Sequence, residues 1–141
     1  MTGFVRTQPS ERTFTPATSS IGEARQFVRE VTAGVVGDGA PELPGDLELA
    51  VSELVTNAVE YGLDAPITVS VTVTPANVLV SVRSARSSSA ISDPSTWAGP
   101  LPAMRTGRGL AIVRAVSDAV AVEADDTTVT VHCSFDIDRT G

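Results

Sequence analysis

The stretch ELVTNAVEYG, residues 53–62, decides how the rest of the chain is read. It belongs to a helix predicted from Asp46 to Tyr61, with Gly62 as its stop. Leu47, Ala50, Val51, Leu54 and Ala58 form the apolar face. Glu53 and Asn57 stand four residues apart and therefore on one line of the helix surface, and Glu60 extends that line. A carboxylate followed one turn later by an amide suits two roles. The amide oxygen is a hard ligand of the kind Mg²⁺ prefers. The carboxylate can orient or deprotonate a hydroxyl that attacks a phosphate. The same spacing also suits an ordinary solvated flank of a helix.

Around this helix the hydrophobic period alternates between 3.6 and 2. ERTFTP (11–16) reads as a short strand ended by Pro16, after a flexible tail. SSIGEARQFVREVTAGVVG is a helix. Ser20 and Glu23 have capping-box spacing, and Ile21, Ala24, Val28, Val31 and Val35 mark its buried face. GDGAPELPGD (37–46) is a linker. ITVSVTV (67–73) and NVLVSVRSA (77–85) alternate strictly and are joined by a turn, so they form a hairpin. AVAVEA (119–124) and TVTVHCSFDI (128–137) form a second pair, with Asp125 and Asp126 at the turn. A third helix starts near Gly107. Strands apolar on one side only belong to a sheet covered on one face. The fold class is therefore an α/β (α+β) two-layer sandwich, with a largely antiparallel sheet and three main helices on one face.

Between residues 83 and 105 the chain is rich in Ser, Pro, Ala and Gly and shows no regular period. A stretch of this length inside a domain is usually functional or mobile. It leads directly into TGRGL (106–110), a glycine-rich entry to a helix. A lid beside such a helix N-terminus is a nucleotide-site layout. GRGL taken alone reads equally well as a tight loop-to-helix turn.

Bulk properties narrow the field. The 141 residues suit one core. Hydrophobic residues make up 42% and charged residues 19%, as in a globular rather than a disordered chain. The formal net charge of −7 argues against nucleic acid as a partner and favours a basic protein surface. Cys133 is the single cysteine, so no internal disulfide forms, and no Cys/His cluster has zinc spacing. No apolar run suits a signal peptide or a membrane span, which places the expected compartment in the cytoplasm.

Taken together, SELVTNAVEYG and TGRGLAIVRAVSD resemble the N and G2 boxes of the GHKL ATP-binding family, which includes gyrase, heat-shock chaperone, histidine kinase and MutL domains. The closer similarity is to small bacterial anti-sigma factors with a serine/threonine kinase domain. The resemblance covers roughly residues 15–137, and its element order is that of the Bergerat fold. It implies a flexible tail over 1–14, one ATPase/kinase domain over 15–141 and an ATP lid at about 84–106. It implies Glu53 as general base and Asn57 as Mg²⁺ ligand. It assigns Gly107, Arg108, Gly109 and Leu110 to nucleotide binding, with the two glycines letting backbone amides approach the phosphates. Its cofactors are ATP and Mg²⁺. Its partners are a sigma factor and an anti-sigma-factor antagonist, commonly engaged by a homodimer.

One departure stands out. Relatives follow the strand VLVSVR with Asp-x-Gly-x-Gly, whose aspartate accepts the adenine amino proton. Here the sequence is SARSS (84–88). Ser84 replaces the acid and neither glycine is present, so the adenine site reads as degenerate. Two functions remain open: a regulator acting by protein contacts with an impaired nucleotide site, or an active ATP-dependent protein kinase. Tyr61 stands where close relatives often carry histidine. His132 reads as a surface residue and Trp97 as a packing residue.

Overall fold

A computed structural model describes residues 9–33, 43–61, 65–85, 107–125 and 127–137. Along the chain come β1 (Ser10–Phe14), α1 (Ser19–Thr32), α2 (Leu43–Tyr61), β2 (Ile67–Val73), β3 (Asn77–Ala85), α3 (Gly107–Val116), β4 (Ala119–Ala124) and β5 (Thr128–Asp136). The strands form one sheet in the order β1-β2-β3-β5-β4. Every pairing in it is antiparallel.

Alternation explains the layers. Val69, Val71, Val80, Val82, Val131 and Cys133 point to one side and are buried, whereas Thr68, Ser70, Ser81, Arg83 and Thr130 point to the other. The buried side joins Ala24, Phe27 and Val28 of α1, the apolar face of α2, and Val113 of α3 in one core. The expected two-layer α+β architecture is the one observed.

The turns are set by side chains. In the β2–β3 hairpin the Thr74 hydroxyl oxygen accepts the backbone N–H groups of Ala76 (3.2 Å) and Asn77 (3.0 Å). In the β4–β5 hairpin Asp125 Oδ1 accepts the N–H groups of Thr127 and Thr128, both at 2.8 Å. Those backbone bonds hold the Asp125 carboxyl below the ordinary aspartate range.

Three local expectations are corrected. Ser20 does not cap α1: it lies inside the helix, fully buried, and its hydroxyl donates to the Thr15 carbonyl at 2.7 Å. Thr18 is the N-cap, without a side-chain bond, and the capping-box spacing is coincidental. The serine instead ties the end of β1 to the helix. Second, α2 begins at Leu43 rather than Asp46, so the last four residues of the expected linker are helical. Proline is compatible with a first helical turn, where no intrahelical acceptor is needed for its missing N–H. Leu43 is completely buried, which fixes that turn against the core. Third, Phe27 belongs to the core of α1 and meets Phe14 edge-on, with ring centroids 6.3 Å apart. Val35, expected on the same face, lies outside the described residues.

Arg29 of α1 grips Glu48 of α2 with two hydrogen bonds, of 3.0 and 2.8 Å. The Arg29 side chain is half exposed, so the pair orients the two helices more than it stabilises them.

Candidate functional site

Helix α2 turns most of its length into the core. Leu47, Ala50, Val51, Leu54, Val55 and Ala58 are all buried, and that arc carries Asn57 with it. Asn57 is only 7% exposed, and among the described residues neither its Oδ1 nor its Nδ2 has a hydrogen-bond partner. Buried polar groups are almost always paired. Each unpaired one costs about 1–3 kcal/mol. Thr56, the preceding residue, shows the usual solution: its hydroxyl donates to the Ser52 carbonyl at 2.6 Å. Asn57 has no such outlet among the described residues.

The expected line of three polar residues divides. Glu53, one turn before Asn57, is half-buried, while Glu60 is exposed. Only the first two stand at the margin of the core.

The second cluster of expected residues opens α3. Gly107 is its first residue, and Arg108, Gly109 and Leu110 complete the turn. Helix α3 packs on α2, and α2 also touches β3 and β5. Ser84 is the penultimate residue of β3. It pairs with buried Val129 and follows Val78, Val80 and Val82 in the alternation, so it lies on the helix-covered face, half-buried. The elements bearing Asn57, Gly107 and Ser84 are thus mutual neighbours or share α2 as a neighbour. Of the expected lid, Ser84 and Ala85 belong to the strand. Residues 86–106, Trp97 among them, lie outside the described residues, as do the side chains of Tyr61 and of residues 107–110.

One polar cluster was not anticipated. On the opposite sheet face the Ser81 hydroxyl lies 2.7 Å from His132 Nδ1, and Glu123 Oε1 lies 2.7 Å from His132 Nε2. With neutral imidazole, Nε2–H donates to the carboxylate and Nδ1 accepts from the serine. His132 is therefore a surface residue, as expected, but one held by two partners. The signal lay in the register: Ser81 and His132 are directly opposed across β3 and β5.

Other features give no site. A cleft of about 190 Å³ between α1 and α2, lined by Val28, Thr32, Pro44 and Leu47, contains none of the expected site residues. Among the described residues no group of three or more His, Cys, Asp or Glu side chains is arranged for a metal, and no helix is long and apolar enough to cross a membrane. Burial pushes the Cys133 thiol up to about 11, which makes it a poor nucleophile.

Comparison with known proteins adds the family. Residues 14–133 match the model of the histidine kinase-like ATPase domain, and the chain belongs to that family. No curated protein matches the chain. Among solved structures it is similar to the RsbU and RsbW domains of Rv1364c from Mycobacterium tuberculosis, at 23% identity and a TM-score of 0.64. The match covers 92% of this chain and 32% of that one. The chain therefore spans about a third of that protein's length, and the likeness is one of fold.

Proposed function

We propose that the chain is a cytoplasmic anti-sigma-factor-type regulator that binds a sigma factor, its antagonist or both, and carries an impaired nucleotide site. The observation that carries the nucleotide part is the buried, unpartnered amide of Asn57. Its oxygen fits a hard cation and its N–H groups fit a phosphate oxygen, so a metal-bound nucleotide satisfies both halves. In this reading Asn57 holds Mg²⁺, and Glu53 orients the attacking hydroxyl. The backbone of Gly107 to Leu110 receives the phosphates. The cation would neutralise phosphate charge. Ser84 supports the impairment, because a neutral hydroxyl replaces a charged acceptor on the helix-covered face beside the core. The acidic balance supports protein partners over nucleic acid.

The second reading, an active serine/threonine kinase acting on the antagonist, is favoured by the retention of both Glu53 and Asn57. Calorimetric titration of the wild type with ATP and Mg²⁺ separates the two. The expected result is binding weaker than micromolar. Micromolar binding that disappears in Asn57→Ala, with transfer of phosphate to a serine of the antagonist, would favour the kinase instead.

A further inference from the structure

The two edges of the sheet, β1 and β4, are built differently. β1 carries Glu11 and Arg12 among its five residues, and charge along an edge discourages pairing with another chain. β4 is Ala-Val-Ala-Val-Glu-Ala, five small apolar residues and one acid, without lysine or proline. Its pairing with β5 fixes which backbone groups are spare. The Asp125 N–H donates to the Thr128 carbonyl at 3.0 Å, and these two residues continue the β4–β5 register by one step. Hydrogen-bonded and non-bonded positions alternate in an antiparallel pair. Ala119, Ala121 and Glu123 therefore turn their N–H and C=O groups toward β5, whereas Val120, Val122 and Ala124 turn theirs outward. Among the described residues no strand lies beyond β4 to receive them.

Side chains add a second signal. Val120 and Val122 oppose buried Cys133 and Val131, so they lie on the helix-covered face, yet they are only half-buried. Helix α3 packs on β4 and leaves Val116 half-buried as well. Glu123 stands on the open face with its side chain 77% exposed, and its Oε1 touches His132 Nε2. From Ala115 to Asp138 the chain holds six acids, Asp118, Glu123, Asp125, Asp126, Asp136 and Asp138, and no lysine or arginine. Arg114 of α3, the nearest basic residue before this stretch, is exposed.

We propose that the β4 edge receives an extended, basic segment of a partner protein, which joins the sheet as an added antiparallel strand. Its backbone pairs with the outward groups of Val120, Val122 and Ala124. Its alternate residues, small and apolar, cover Val120 and Val122 on the helix side. The residues between them stand on the open face, where a lysine or arginine meets Glu123. Main-chain bonds supply the affinity of such an added strand, and the alternating side chains supply its selectivity. The acids around the edge select a basic segment over an acidic one. The antiparallel sense follows the rest of the sheet, in which every pairing is antiparallel. The inference stands apart from the nucleotide site and holds whether or not ATP binds.

The probe is the synthetic peptide Lys-Val-Lys-Val-Lys-Val-Lys, titrated into the full chain and followed by residue-resolved amide hydrogen exchange. At saturation the amides of Val120, Val122 and Ala124 are expected to exchange about tenfold more slowly or better. Those of Ala121 and Glu123, already bonded to β5, should change little. This alternation is read in the wild type and needs no variant to fold. Val122→Pro removes one outward N–H without touching the β4–β5 ladder and should weaken binding about tenfold. Glu123→Lys should weaken it about fivefold or more. Replacing every lysine of the peptide by glutamate should abolish binding. Val120, Val122 and Ala124 amides that exchange slowly before any peptide is added would overturn the proposal, because the edge would then be covered by the chain itself or by a second copy. So would failure of the lysine peptide to bind, binding that leaves those three amides unchanged, or equal affinity for the glutamate peptide.

Discussion

Replacing Ser84 by aspartate is expected to tighten binding of ATP with Mg²⁺ by roughly ten- to hundredfold. In the proposed site Ser84 faces the base from the end of β3. A hydrogen bond to a charged acceptor contributes about 1.5–3 kcal/mol against roughly 0.5–1.5 for a neutral one. A difference of about 1.4 kcal/mol is a factor of ten in affinity. The position is half-buried and pairs with Val129, so the new carboxylate sits where solvent competes poorly. Adding Arg86→Gly and Ser88→Gly restores the remaining glycine positions and should add to the gain. Calorimetry on the three proteins checks this. An unchanged affinity in a correctly folded Ser84→Asp protein would remove Ser84 from the adenine wall.

The second large effect concerns stability, and its sign separates two roles of Asn57. If the amide is kept for a ligand, the free protein carries its burial as an uncompensated cost. Asn57→Leu exchanges two unpaired polar groups for an apolar side chain at a buried position of α2. The gain should be about 1–3 kcal/mol, less any strain from the larger volume. The melting temperature should rise by several degrees, and ATP binding should be lost in the same protein. A fall in stability comparable to a core deletion would mean instead that the amide holds the backbone together. Asn57→Ala, which adds no volume, controls for overpacking.

Much of the fold was legible because its signals are local and redundant. The strands β2, β3 and β4 alternate without interruption, and their observed bounds coincide with the alternating segments. Helix α2 was legible in its face but not in its start. Leu-Pro-Gly-Asp carries the composition of a linker, and only the complete burial of Leu43 shows that the core extends into it. Ser20 misled for a related reason: a capping spacing has no bearing on which carbonyl the hydroxyl reaches, and the chain entry from β1 places Thr15 beside it. The candidate site was legible as residue types but not as environments. Glu53, Asn57 and Glu60 look equivalent on a helical wheel. Their burial differs because α1, α3 and the sheet all pack on α2 and leave only part of its surface to solvent. The Ser81–His132–Glu123 cluster required the register of three strands, which no single segment encodes.

The account turns on whether the Asn57 amide meets a nucleotide, and weak binding calls for a method that reports on that side chain itself. Titration of isotope-labelled protein with ATP and Mg²⁺, following the Asn57 side-chain NH₂ resonances by NMR, is the direct measurement. The predicted result is a progressive shift of those resonances together with the backbone amides of Gly107 and Gly109, saturating at far lower ATP in Ser84→Asp than in the wild type. Resonances of Asn57 that stay fixed while ATP saturates another surface, or that stay fixed in both proteins at every concentration, would contradict it.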